Sequence, residues 1–201
     1  MSLTAEFVTE LTKQKNSSTV SNPYLNHHIA NNLRLYLNAM LKIEGRRVLL
    51  VGEAPGYRGC KITGIPFTSG NVFERFNHPL LKGLSSQLNL ATIETESTAT
   101  IIWEYLTKKK ETPLFWNSFP FHPHPKGNKN KNRAPNSREI EIGMQHLKRL
   151  YSLYKPEILA GVGHKGFECA SKAFPTEDIL LIRHPSFGGK SEFIAGMNKI
   201  F

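Results

Sequence analysis

The chain has 201 residues, enough for one domain with a sizeable core, and its 39% apolar and 21% charged residues are the composition of a globular protein. No apolar run reaches the length of a membrane span, and Met1 to Lys15 lacks the apolar stretch of a signal peptide. The net charge of +10 favours a polyanionic partner, because Lys and Arg release counterions when they neutralise phosphates, although solubility alone would also account for it.

In chain order, Leu3 to Leu11 carries apolar residues at helical spacing. Ile29 to Ile43 does the same through Ile29, Leu33, Leu37, Met40 and Leu41, with Gly45 as the stop. Val48 to Val51 is a continuous apolar run suited to a strand buried on both faces. Gly52 to Gly70 is rich in Gly and Pro and reads as an extended loop. Asn71 to Leu90 predicts one or two short helices, broken near Pro79 and Gly83. Leu114 to Trp116 is a second strand, ending at Asn117. Phe119 to Pro135 holds four prolines and a basic run, and reads as a mobile loop. Ser137 is placed to cap a helix over 138–154, and Pro156 leads into a third strand, Ile158 to Gly163. A helix follows near His164 to Ala173, then a fourth strand, Ile179 to Ile182, and a terminal helix or tail from Phe193. Strand and helix alternate. The expectation is an α/β chain folded as a three-layer α/β/α sandwich with a short, mainly parallel four-stranded central sheet. Residues 1–201 are read as one domain, with a helical part to residue 44 and a motif-bearing core over 45–190.

Cys60 and Cys169 are the only cysteines, and neither lies in a C-x-x-C. That excludes a disulfide framework and a four-cysteine metal site within one chain, and points to a reduced, cytoplasmic protein. His122-Pro123-His124 offers two ligands, but no third lies nearby, so no metal is expected. The Gly161-Val162-Gly163 turn lacks the spacing of a dinucleotide loop.

Two strand ends carry chemistry. Val48 to Val51 opens into Gly52-Glu53-Ala54-Pro55-Gly56, followed by Gly64-Ile65-Pro66-Phe67-Thr68-Ser69-Gly70. Ile179 to Ile182 opens into Arg183-His184-Pro185-Ser186. Carboxyl ends of parallel strands converge on one crevice, so a carboxylate and an imidazole from distant segments can meet there. Each piece alone is open to a plainer reading: Phe67 as core, Asn117 as a turn residue, His184 as structural.

In combination and in order, G-E-A-P-G, G-x-P-F-x-x-G, a strand ending in Asn, a strand ending in G-x-G, and H-P-S resemble the uracil-DNA glycosylase superfamily. The resemblance runs from Val48 to Ser186, and its first motif is most like the iron–sulfur group. It implies a monofunctional glycosylase with water as nucleophile, no cofactor, and a target base flipped from DNA, single- or double-stranded. It assigns Glu53 and His184 as catalytic: Glu53 at the water and sugar cation, His184 on uracil O2. Gly52, Phe67 and Asn117 are the base-binding set, with Phe67 stacking and Asn117 reading the Watson–Crick edge. Ser186 and the following turn lie near the DNA strand.

The physics fits that layout. Breaking the bond makes an oxocarbenium-like sugar and a uracil anion, so the site needs negative potential at one end and donors at the other. An Asn amide offers its carbonyl to N3–H and its NH₂ to O4, a pattern that cytosine reverses.

There are departures. The cluster cysteines are missing, so no cluster is expected, and Tyr57-Arg58 stand where that group often has an acidic residue. Phe187, before Gly188-Gly189, suits either a wedge in DNA or simple packing. Lys126, Lys129, Lys131 and Arg133 can drape on phosphates or stay solvated. The preferred base stays open, with hypoxanthine, xanthine or a modified base as candidates. So do a DNA-binding module with lost or retuned catalysis, and action on nucleosides or RNA. The expected unit is a monomer without membrane contact.

Overall fold

The structure is a computed structural model and describes residues 2–201. The chain begins with α1 (Leu3–Leu11), β1 (Val20–Ser21), a 3-10 turn (Pro23–Leu25) and α2 (His27–Lys42). Next come β2 (Val48–Gly52), α3 (Cys60–Thr63), α4 (Gly70–Arg75), α5 (Pro79–Ser85) and α6 (Ser97–Leu106). Then follow β3 (Leu114–Asn117), β4 (His122–Pro123) and α7 (Ser137–Tyr154). The chain ends with β5 (Ile158–Val162), α8 (Gly163–Ala173), β6 (Ile179–Ile182) and α9 (Lys190–Met197).

Four strands form a parallel sheet in the order β3-β2-β5-β6. Every residue of β2 and β3 is buried, as continuous apolar runs covered on both faces require. Alternation along β3 divides the layers. Trp116 points to one face and packs on Phe7 of α1, at 5.3 Å between ring centroids. Phe115 points to the other and meets Trp103 of α6 at 6.3 Å. Helices α7 and α8 pack together on the Trp116 face, where Gly143 and Gly166 let them approach the sheet backbone. Helix α9 covers the opposite face at β6, with Gly196 close to Ile182. The edge strand β3 is not left bare: the Tyr36 hydroxyl of α2 accepts from the Phe115 N–H at 2.8 Å.

The sheet and its flanking helices agree with the expectation, and several local readings change. The cap of α7 is Asn136, not Ser137. Its side chain accepts from the Glu139 N–H at 3.0 Å while Glu139 accepts from the Asn136 N–H at 2.8 Å, a reciprocal capping box. Pro79 begins α5, where its missing N–H costs nothing, and Gly83 lies inside that helix. Helix α6 has no counterpart in the sequence reading. The Gly52–Gly70 loop contains α3.

The segment 119–135 is tied to the rest of the fold at several points. Its start pairs with β1, and Arg133 clasps Glu139 at 2.6 and 2.7 Å. All five guanidinium N–H donors of Arg133 are used, the remaining three on the carbonyls of Thr19, His124 and Ala134.

A Cβ at Gly143 would sit 1.7 Å from the Ser118 carbonyl oxygen, whereas one at Gly83 meets nothing within 4 Å. Gly143→Ala is therefore expected to lower stability by about 1–3 kcal/mol, as overpacking does. Gly83→Ala should be neutral or raise it by about 0.5–1 kcal/mol through helix propensity. Urea unfolding of both variants checks the pair.

Candidate active site

The four parallel strands deliver their carboxyl ends to one side of the sheet. β2 releases Glu53, β3 ends at Asn117, and β6 leads through Arg183 to His184. Register sets Gly52 beside Asn117. A cleft of about 450 Å3 opens there, and Glu53, Phe67, Asn117, His184, Ser186 and Phe187 all line it.

Gly52 has no side chain because the Phe67 ring occupies the space. A Cβ there would lie 2.3 Å from Phe67 Cζ and 3.1 Å from Asn117 Oδ1. Phe67 itself has φ +56°, a left-handed backbone that is costly for a bulky residue. The surroundings hold it. Trp103 Nε1–H donates to the Phe67 carbonyl at 3.0 Å, and the next residue, Thr68, hydrogen-bonds to the Thr63 hydroxyl and the Ile65 carbonyl, both at 2.8 Å. The ring lies 5.1 Å from Phe115 and only its rim reaches the cleft.

Asn117 is buried, yet the fold barely uses its amide. The partner of Nδ2 is the Cys60 thiol, at 3.9 Å. His184 is different. The Ser186 N–H donates to its Nδ1 at 3.2 Å, so that nitrogen carries a lone pair and the neutral ring keeps its proton on Nε2. Burial, and then the charge of Arg183, hold its pKa below the ordinary imidazole range, which favours this neutral form. The Ser186 hydroxyl is 3.1 Å from that of Thr98, which ties the H-P-S turn to α6.

Glu53 is half-buried, and burial pushes its carboxyl above the usual range while Lys165 pulls it back. Phe187 has φ +51° and is 99% exposed, an aromatic with nothing packed on it. The packing reading for Phe187 therefore fails.

The four basic residues separate. Lys126, Lys129 and Lys131 are exposed on the loop, outside the cleft walls. Arg133 lines the cleft but has no free N–H left for a phosphate. Its expected phosphate contact gives way to a structural role, because the buried Glu139 takes two of its donors.

The structure adds Glu96, Cys60 and Asn132 to the cleft wall. Glu96 stands at the start of α6, where burial raises its pKa and Thr98 and the Ala99 N–H lower it. It fits because Gly59 is bare: a Cβ there would be 2.9 Å from Glu96 Oε2. Asn132 Oδ1 accepts from the Tyr57 N–H at 3.0 Å, joining the basic loop to the Glu53 turn. No motif in the sequence marks Glu96. Asn132 is hidden in a run that reads as solvent-facing.

The family model of the uracil DNA glycosylase superfamily matches residues 39–193. No curated protein matches the sequence. Among solved structures, wild-type SMUG2 of Pedobacter heparinus is similar in fold, with a TM-score of 0.70 at 16% identity. The alignment covers 98% of this chain and 96% of that one.

The Gly52–Phe67 contact is testable by a double-mutant cycle. Gly52→Ala alone should destabilise by about 1–3 kcal/mol. Combined with Phe67→Ala, the total should fall short of the sum by at least ~1 kcal/mol, since the ring is what the new methyl strikes. Additive effects in urea unfolding would show that the two do not touch.

Proposed function

This chain belongs to the uracil DNA glycosylase superfamily, and from that premise we propose that it is a monofunctional DNA glycosylase. It hydrolyses the N-glycosidic bond of uracil, or of a related deaminated base, in DNA. The observation that carries the reading is the convergence of Glu53, Asn117 and His184 on one cleft, where each presents polar atoms that the fold does not consume.

The target nucleotide leaves the stack to enter the cleft. The base lies against the rim of Phe67, the part of the ring that reaches the cleft. The Asn117 amide pairs with the N3–H and O4 of uracil. As the glycosidic bond breaks, its electron pair goes to the base and the sugar becomes cationic. The His184 Nε2–H donates to O2, where the negative charge of the leaving base collects. The Glu53 carboxylate faces the sugar cation, holds the water whose oxygen bonds to C1′, and takes the proton that the water loses. Donors and charges already in place when the charge develops give the largest gains, roughly 10²–10³ in rate for one donor.

Phe187 fills the gap left in the duplex, as apolar wedges do. Ser186 lies by the strand, and Lys126, Lys129 and Lys131 neutralise phosphates. The abasic strand is left intact, the scheme uses no cofactor, and the chain acts as a cytoplasmic monomer.

Oligonucleotides bearing uracil, hypoxanthine, xanthine or hydroxymethyluracil, single- and double-stranded, test the reading directly. Strand breaks should appear only after alkali. Glu53→Ala and His184→Ala should each slow single-turnover release by at least ~10²-fold with little change in DNA affinity. Release from none of the substrates would favour a DNA-binding module that has lost catalysis.

The pH profile follows from the same two groups. Glu53 must be ionised and its pKa is raised; His184 must be neutral and its pKa is lowered. Both conditions fail on the acid side. The rate should fall with acid, and the midpoint of that fall should lie above about 4.3, the ordinary carboxylate value. In single-turnover measurements, an acid limb centred above about 6.5 that persists in Glu53→Ala would contradict the buried, neutral His184, and one centred below about 4.3 in wild type would contradict the raised Glu53.

A further inference from the structure

His122 opens β4 and has no solvent exposure. Its Nδ1 lies 2.8 Å from the Pro55 carbonyl oxygen and its Nε2 lies 3.1 Å from the Lys129 carbonyl oxygen. A carbonyl oxygen can only accept. A neutral imidazole has one N–H, so it satisfies one of these carbonyls and aims a lone pair at the other. Only the imidazolium donates to both. The two carbonyls belong to different parts of the site: Pro55 is in the turn that carries Glu53, and Lys129 is in the exposed basic loop.

We propose that His122 is a proton-linked clamp, a positioning residue that joins the Glu53 turn to the basic loop by two hydrogen bonds when charged and by one when neutral.

The groups around the ring set its balance. Lys61 of α3 donates to the same Lys129 carbonyl at 2.7 Å, so a second cation shares that acceptor. The His124 ring stacks on His122 at 5.6 Å, with its own nitrogens on the Pro125 carbonyl at 2.9 Å and the Ser21 hydroxyl at 3.1 Å. Burial disfavours the charged ring most, and Lys61 and His124 add to that; the Pro55 and Lys129 carbonyls favour it. The free protein near neutrality therefore holds the clamp by one bond. A polyanion laid on Lys126, Lys129 and Lys131 shifts the potential toward the imidazolium. DNA binding then takes up a proton and closes the second bond, and by linkage affinity rises as pH falls. This last step rests on the proposed DNA substrate; the clamp itself does not.

Nitrogen-resolved spectra of 15N-histidine-labelled wild-type protein read the clamp without DNA. His122 should pass from one protonated ring nitrogen at about pH 8 to two as the pH falls below the ordinary imidazole value of about 6.5. Over the same change, hydrogen-exchange protection of the loop amides Asn128 and Asn130 should rise about two- to tenfold, the worth of one hydrogen bond. His122→Gln, with a single amide in place of the ring, should lose that rise. A ring that keeps one proton throughout, or an equal rise in His122→Gln, overturns the clamp. A uracil-free oligonucleotide then tests the linkage. Its affinity gain between about pH 8 and about pH 6 should be about two- to tenfold larger in wild type than in His122→Gln. Equal gains would remove the coupling to DNA. Neither readout depends on base release, so loss of the glycosylase reading would be seen separately.

Discussion

The site depends on how closely two helices approach the carboxyl ends of the central strands. A Cβ at Gly166 of α8 would lie 1.9 Å from the Val51 carbonyl oxygen, and one at Gly161 of β5 would lie 2.1 Å from the Phe167 backbone nitrogen. Gly143 of α7 stands in the same relation to Ser118, just beyond β3. Backbone meets backbone at these points, with no side chain between to yield. The ends of β2 and β3 are held at fixed heights, and Glu53 and Asn117 leave the sheet from those ends. Interiors packed at crystal-like density transmit such constraints over a full layer.

Beside these contacts the site departs from local preference. Phe67 and Phe187 are both left-handed and neither is glycine. Strain of this kind costs of order 1–3 kcal/mol per residue and persists only where the surroundings impose it. For Phe67 the imposing groups are visible: the Trp103 indole N–H, the Thr63–Thr68 pair and the bare Gly52. Phe187 has no packing partner, and its conformation is set by the short turn that begins with the Ser186–His184 bond. The same turn decides the tautomer of His184, so one backbone N–H positions the imidazole and selects which nitrogen carries the proton.

Polar side chains sort by whether the fold uses them. Asn32 has no exposure and bonds the Thr63 and Asn89 carbonyls and the Asn89 N–H. Arg133 uses every donor it has. Asn117 and Glu53 do not. Asn117 Nδ2 meets only the Cys60 thiol and the half-buried Glu53 carboxylate faces the cleft, so both keep hydrogen-bonding capacity for whatever enters it. The basic loop belongs to this arrangement through Asn132, His122 and Lys61, each bonded between the loop and the Glu53 segment or its neighbour α3.

The sequence alone determined the sheet, most helices and the meeting of Glu53 and His184, because these rest on short-range rules; Phe67, Asn117 and Ser186 joined them only through the family resemblance. Continuous apolar runs mark buried strands, helical spacing marks faces, and parallel strands deliver their ends to one side. What it left out depends on partners distant in the chain. Helix α6 has an apolar face, but no motif points to it, and with it Glu96 was missed. Arg133 reads as a free cation beside three lysines until Glu139 folds against it. His122-Pro123-His124 reads as a stray pair of ligands until Pro55 and Lys129 approach from either side. Charge and hydrogen-bonding capacity are properties of a residue and can be read in order. Whether that capacity is already consumed is a property of its neighbours, and only the tertiary structure decides it.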